Sequence, residues 1–200
     1  MKPTQNLPEN FSLRWKLDLK HNTRLNIILQ VIGLGWMILS GWGFTLCLQF
    51  LRPDFNAQIK YDFGDHPLKG LLILAIIMIV AIVLHEMIHG LFFWYFSRHK
   101  PEFGWGPGYA FAAMPDWYFP KASYLWIGLS PLVVLSGFGL ALSVIAPQSW
   151  LTAILLGMVV NSGGAIGDLY ICGRIALDAT DVWIKDTGDG FELYGRENFS

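Results

Sequence analysis

Three residues of this sequence could carry out metal-dependent chemistry together. His85, Glu86 and His89 form an H-E-x-x-H motif. On an α-helix, side chains four residues apart lie on the same face, so both imidazoles can bind one metal ion. A glutamate directly after the first histidine can accept a proton from a water molecule on that ion. The motif therefore predicts His85 and His89 as ligands of a zinc ion and Glu86 as a catalytic base.

The motif lies within a long apolar segment. Between Lys69 and Arg98, the three motif residues are the only Lys, Arg, Asp, Glu or His residues. Two histidines and a carboxylate are costly at membrane depth unless partners, water or a metal compensate them. A metal centre would supply that compensation. The alternative is a polar patch that joins helices within a bundle.

The composition indicates a membrane protein. The chain has 200 residues, of which 54% are apolar and only 14% charged, and its mean hydropathy is +0.43. Residues 122–167 contain no Lys, Arg, Asp, Glu or His, a length that suffices for two helices of about 20 residues each. A net charge of −1 gives no basic surface for nucleic acid. We therefore expect a lipid bilayer, and no nucleic acid, among the partners.

Four apolar segments predict four transmembrane helices, at about 25–51, 70–96, 122–146 and 150–177. Within the third, Ser130-Pro131 predicts a kink. The loop of residues 97–121 is rich in aromatic and turn residues, which favours an interfacial hairpin or a re-entrant segment beside the motif. An unstructured loop that its aromatic side chains anchor to the membrane is the alternative.

The two ends of the chain predict a small β element outside the membrane. In the N-terminal segment 1–24, apolar and polar residues alternate over 11–19, which is typical of a strand. In the tail 179–200, two strand-like runs flank Asp186–Gly190, where we expect a hairpin turn and not a calcium loop, because the ligand spacing is wrong. The predicted fold is thus an all-α polytopic membrane protein with this β element attached.

The distribution of lysine and arginine predicts the orientation in a cell membrane. The N-terminal segment has five of these residues, the 97–121 loop three, the 52–69 loop three and the 147–150 turn none. Basic residues are in excess on the cytoplasmic side of membrane proteins. We therefore expect a multi-pass protein with both termini in the cytoplasm.

A catalytic zinc site takes three protein ligands, so the two histidines need a third. Asp168 is the candidate, because it is the only acidic residue in the last two predicted helices. The depths agree: His85 lies 16 residues past Lys69, and Asp168 lies 18 residues past Trp150. Pairing of Asp168 with Arg174 is the alternative. Weaker candidates for the third ligand are His99, Glu102 and Asp116.

Asn161 precedes Asp168 by seven residues, which predicts one helix face for both. Its amide could orient the substrate backbone or a developing oxyanion, and a hydrogen bond between helices is the alternative. Gly163 and Gly167 have the small-residue spacing that lets helix backbones approach closely. This spacing predicts that the last helix approaches the motif helix.

These residues together resemble the "putative zincin peptidase" family of small bacterial membrane proteins, named for a domain of unknown function. The resemblance covers roughly residues 70–180 and includes the motif span 85–90, the span with Ser130-Pro131 and the span from Asn161 to Asp168. More distantly, the chain is similar to the site-2 intramembrane metalloproteases, which implies an aspartate ligand on a later helix. Those enzymes carry a proline and an Asp-Gly pair there, whereas Leu169 follows Asp168 and the proline is missing.

The motif and the resemblance predict a zinc-dependent, membrane-embedded endopeptidase. Its substrate would be a membrane or membrane-proximal polypeptide, held as an added strand by the segment 103–119. A non-catalytic metal-binding or ion-transporting membrane protein is the first alternative. A helix-bundle interaction protein without metal is the second.

Overall fold

The computed structural model describes residues 1–18, 21–55, 67–106, 109–178, 181–188 and 190–196. Parts of the predicted strand 11–19, of the 52–69 loop and of the tail 179–200 therefore lie outside the described residues. Helices dominate, and short strands precede, separate and follow them. In chain order the elements are β1 (Phe11–Asp18), α1 (Thr23–Leu51), α2 (Pro67–Ser97), β2 (Glu102–Gly106), β3 (Tyr109–Ala113), β4 (Tyr118–Pro120), α3 (Lys121–Ile145), α4 (Gln148–Gly164), α5 (Ile166–Ala176), β5 (Val182–Asp186) and β6 (Gly190–Arg196).

Three of the described helices, α1, α2 and α3, are long and apolar enough to cross a membrane. The bent pair of α4 and α5 is also long and apolar enough when the two helices are taken together, which gives up to four spans. Large apolar side chains are exposed along α1 and α2, for example Ile38 at 77% and Leu71 at 63%. Exposed apolar surface of this extent is consistent with helices that face lipid. The predominantly helical fold with small antiparallel sheets is thus confirmed.

The prediction of one continuous helix over 150–177 is wrong. The helix ends at Gly164 and a second begins at Ile166, with a bend of 45° between them. Glycine costs about 1 kcal/mol relative to alanine within a helix, and three glycines occur in the five residues 163–167. Asn161 and Asp168 consequently lie on two different helices, α4 and α5, and not on one face of a single helix.

The chain divides into two compact units. The first comprises residues 1–30, 86–130 and 167–200, and the second comprises residues 31–85 and 131–166. The division falls within α2 between His85 and Glu86, and α2 continues through it without a break. The geometry of His85 relative to His89 is therefore that of one helical turn.

A four-stranded antiparallel sheet with the strand order β1-β6-β5-β4 belongs to the first unit. Its register pairs Phe11 with Arg196 and Asp18 with Gly190, and β5 with β6 forms the C-terminal hairpin. The predicted pairing of the N-terminal strand with the tail is confirmed, whereas the addition of β4 was not predicted. The core of this unit combines sheet residues with residues of α2, α3 and α5, among them Phe93, Phe119, Ile127, Ile175 and Phe191.

The segment after α2 forms the predicted hairpin. Strands β2 and β3 pair over five positions, from Glu102 with Ala113 to Gly106 with Tyr109. The ring of Phe103 lies so close to Gly90 of α2 that a Cβ there would collide with it. The hairpin is therefore packed directly against the helical turn that follows the motif.

Glycines of the second unit bring α1 and α4 together. A Cβ on Gly163 would collide with Met37 of α1, and a Cβ on Gly33 of α1 would come within 3.4 Å of the carbonyl oxygen of Gly163. Nothing lies within 4 Å of such an atom on Gly167. The prediction that the Gly163–Gly167 spacing serves an approach to the motif helix is therefore wrong, since Gly163 packs against α1.

Candidate metal centre

Both motif histidines are buried on one face of α2, with exposed fractions of 7% for His85 and 8% for His89. A histidine that binds a metal through one ring nitrogen usually donates its other N–H to a neighbouring acceptor. The Nδ1 atoms of His85 and His89 each have such an acceptor, at 2.9 Å in both cases. The Nε2 atoms of both rings are then the atoms with a lone pair for a metal.

The acceptor for His89 is the backbone carbonyl of Ile127 in α3. In a regular helix, this carbonyl would accept the N–H of the residue four positions later. That residue is Pro131, which has no N–H. The carbonyl of Ile127 is therefore available to His89, and it also accepts the hydroxyl of Ser130 at 2.8 Å. Because Pro131 has no N–H, the carbonyl of Ile127 can accept the hydrogen bond that orients the ring of His89.

The acceptor for His85 is the side-chain oxygen of Asn161 in α4. The amide nitrogen of Asn161 donates to the carbonyl of Pro131 at 3.2 Å, which fixes the rotation of the amide. Asn161 is 3% exposed, so both polar atoms have a partner in a buried position. These contacts are those of a hydrogen bond between helices. The oxyanion role of Asn161 stays a prediction.

Asp168 lies in the first turn of α5, and one of its carboxylate oxygens is 3.4 Å from Nε2 of His89. One ligand atom each from His85, His89 and Asp168 lie within 4.8 Å of one another. A helix N-terminus favours the ionised carboxylate, which is the form that binds metals. The alternative partner of Asp168, Arg174, lies 3.4 Å from Asp178.

The donor set fits a zinc ion. Zinc in catalytic sites takes three histidine or carboxylate ligands and keeps one position for water or substrate. Two imidazoles with fixed Nδ1 hydrogens and one carboxylate provide such a set here. Among the residues that the structure describes, this is the group of three or more His, Cys, Asp or Glu side chains close enough to hold an ion.

Glu86 belongs to the same helical turn as the two histidines. It is partly buried. A carboxylate in this place can reach a water molecule beside the metal without being a ligand itself. The geometry is therefore compatible with the predicted role of Glu86, which stays a prediction.

The weaker ligand candidates are found elsewhere. His99, Glu102 and Asp116 line a separate cavity of about 180 Å³, together with Met114 and Trp117. The ring of His99 packs against Trp117, with centroids 4.7 Å apart. Within the described part of the chain, these three residues do not join the His85–His89–Asp168 group.

Two functional contacts were missed at the level of sequence. The proline in the third helix predicted a kink, but not that a freed carbonyl would orient His89. For Asn161, a hydrogen bond between helices was the stated alternative and is present, but its partners His85 and Pro131 were not identified. A proline four residues after a buried position is a signal for a free carbonyl, yet the partner of that carbonyl depends on the fold.

The arrangement defines a candidate metal centre on apolar helices. Residues 78–181, which are more than half of the chain, match the family described as "putative zincin peptidase", and the chain belongs to this family. The matched range contains the motif, Pro131 and Asp168. Neither the curated proteins nor the solved structures contain a match. The more distant similarity to site-2 proteases stays a prediction.

Proposed function

We propose that this protein is a zinc-dependent endopeptidase of the membrane. The observation that carries the proposal is the convergence of His85, His89 and Asp168, with Nδ1 of both histidines already bound by acceptors. Membership of a zincin peptidase family supports the choice of zinc and of a peptide substrate. The three predicted ligands, His85, His89 and Asp168, would hold the ion.

A bound zinc ion polarises a substrate carbonyl and brings the pKa of a water molecule near neutrality. In our proposal, Glu86 accepts the proton of the attacking water and then donates it to the leaving amine. Ile127 and Asn161 hold the two imidazoles in the tautomer and orientation that binding requires. A role of Asn161 toward the oxyanion would use the second N–H of its amide, since one N–H donates to the carbonyl of Pro131.

The substrate in this proposal is a membrane-embedded or membrane-proximal polypeptide. The apolar helices that carry the site favour such a partner over a soluble one. Both termini in the cytoplasm remain the orientation that the lysine and arginine distribution favours. The extramembrane sheet would then lie on the cytoplasmic side, and the lipid bilayer would surround the helices.

The β2–β3 hairpin is the proposed binding element for that substrate. It packs on α2 through Phe103 and Gly90, immediately after the second histidine of the motif. A two-stranded sheet offers backbone N–H and C=O groups along its edges, to which an extended peptide can add as a further strand. Trp105, with 74% of its surface exposed, extends from the same strand.

Replacing Gly90 by alanine tests this element. The added methyl group would collide with the outer end of the Phe103 ring, which is 55% exposed and can move outward. We expect unchanged zinc content and a roughly fivefold higher KM, since a displaced hairpin loses substrate contacts without touching the chemical groups. Gly35→Ala in α1 is the matched control, because nothing lies within 4 Å of its added methyl group. Equal KM values in the two variants would contradict the role of the hairpin.

The proposed function itself is tested with purified protein in lipid vesicles. A membrane-spanning peptide with a fluorescent reporter should be cleaved, cleavage should stop after zinc is removed by a chelator, and added Zn²⁺ should restore it. The competing function, ion transport, is tested in the same vesicles. Metal or proton flux that depends on Glu86 without any cleavage would favour a transporter and contradict the peptidase.

A further inference from the structure

A hydrogen bond between Tyr124 and Asp186 joins α3 to the C-terminal hairpin and has no part in the proposed reaction. The hydroxyl of Tyr124 donates to Oδ2 of Asp186 at 2.6 Å. The N–H of Gly188 donates to Oδ1 of the same carboxylate at 2.9 Å. Tyr124 is buried, with 4% of its surface exposed. Both oxygens of Asp186 are thus bound by donors at the turn between β5 and β6.

Tyr124 lies one helical turn before Ile127. Residues three apart are neighbours on a helix surface, and both belong to the same buried core cluster as Phe93 of α2. The carbonyl of Ile127 is the acceptor that orients His89. A contact that fixes Tyr124 therefore also fixes the helical turn from which this carbonyl extends.

This turn of α3 needs support from outside the helix. Pro131 removes one backbone hydrogen bond at the end of the turn, and prolines of this kind allow a helix to bend. At the start of α3, Lys121 donates to the carbonyls of Ala176 and Asp178, both at 3.0 Å. The bond from Tyr124 to Asp186 supplies the second attachment, on the face that carries Ile127.

The surroundings of Asp186 shift the pKa of its carboxyl group. Burial raises the pKa of this carboxyl group, and the hydrogen bonds from Tyr124 and Gly188 act in the opposite direction. The charge of His89 lowers the pKa of Asp186, and the charge of Asp168 raises it.

We propose that Tyr124 and Asp186 are positioning residues of the metal centre. Their hydrogen bond holds the Ile127 carbonyl where it accepts Nδ1–H of His89, so the C-terminal hairpin contributes to metal affinity. This inference rests on the zinc site of the proposed function, but not on peptidase activity. It assigns to the tail of the chain a role that the motif alone does not show.

The experiment measures the affinity of the full-length protein for Zn²⁺ by competition with a chromophoric chelator. Tyr124→Phe and Asp186→Asn should each weaken binding about tenfold, the scale on which partners of metal ligands act. The double variant should be no weaker than either single variant, because residues that act as a pair are not additive. The spectrum of bound Co²⁺ should shift in the same variants, which reports the orientation of the ligands and not only folding.

Tyr194 and Glu192 provide the control, since the hydroxyl of Tyr194 donates to Oε2 of Glu192 at 2.7 Å in the same sheet. Tyr194→Phe and Glu192→Gln should leave the Zn²⁺ affinity and the Co²⁺ spectrum unchanged. An unchanged affinity in Tyr124→Phe would overturn the proposal, and so would an equal loss in the control pair. If the wild-type protein bound no Zn²⁺, the proposed function would fail together with the positioning role. If the wild-type protein bound Zn²⁺ and Tyr124→Phe bound it equally well, only the positioning role would fail.

Discussion

The Glu86→Gln variant is expected to retain zinc and to lose peptide cleavage. Glutamine keeps the size and hydrogen-bonding shape of glutamate, but it cannot accept the proton of the attacking water. General-base catalysis contributes about 10²–10⁴-fold to a rate, so kcat should fall by that factor. KM should change little, because Glu86 in this account contacts the attacking water and not the remote parts of the substrate.

The matched control for this change is Glu9→Gln, the same substitution at an exposed glutamate of the N-terminal segment. Zinc content and cleavage are measured on the three proteins in the same vesicles. Undiminished cleavage by Glu86→Gln would show that another group is the base. Loss of zinc together with cleavage would show that Glu86 is a ligand, contrary to the assignment of His85, His89 and Asp168.

The His89→Ala variant is expected to lose most of its zinc affinity. Structural zinc sites bind with about 10–16 kcal/mol, which corresponds to about 2.5–4 kcal/mol for each of four ligands and to about 10²–10³-fold in affinity. Asp168→Asn should have a comparable effect, because the neutral amide is a poor zinc ligand. Asn161→Ala should weaken binding less, by about 10–100-fold, since Asn161 orients His85 and does not bind the ion.

The control for the ligand variants is His21→Ala. His21 is an exposed histidine between β1 and α1, and its ring contacts Asp18 at 2.7 Å. Its removal should leave zinc affinity unchanged. If Asp168→Asn bound zinc as tightly as the wild-type protein, Asp168 would not be the third ligand, even if both histidines were confirmed.

The sequence predicted the apolar helices, the common helix face of the two motif histidines and the β pairing of the two chain ends. Each of these features depends on short-range patterns. The alternation in 11–19 and the hairpin pattern of the tail are local signals, and each strand has few possible partners. The i, i+4 spacing of His85 and His89 depends only on the helix. Such features do not require knowledge of which helices become neighbours.

The break at Ala165 was not predicted, and the sequence left open whether Asn161 contacts the substrate or forms a hydrogen bond between helices. Three glycines in residues 163–167 can serve either close packing or a bend, and the sequence contains no information on which use dominates. In the structure Gly163 packs on Met37 of α1, and the bend separates α4 from α5. The hydrogen bonds of Asn161 depend on the path of three helices, which local propensity does not determine.

The effect of Pro131 could be predicted only in part from the sequence. A kink was expected from the proline alone, and the freed carbonyl of Ile127 follows from elementary helix geometry. Its use by His89, however, requires α2 and α3 to be neighbours at that depth. The same holds for Tyr124 and Asp186, which are 62 residues apart in the chain and meet only through the sheet.

The claim that His85, His89 and Asp168 bind one zinc ion can be tested by X-ray absorption at the zinc edge of the purified wild-type protein. We predict one zinc per chain with two imidazole nitrogens and one carboxylate oxygen at about 2.0–2.2 Å, a water oxygen in the remaining position and no sulfur. A protein without stoichiometric zinc would contradict the claim. So would a zinc ion that is bound by sulfur or by a single imidazole.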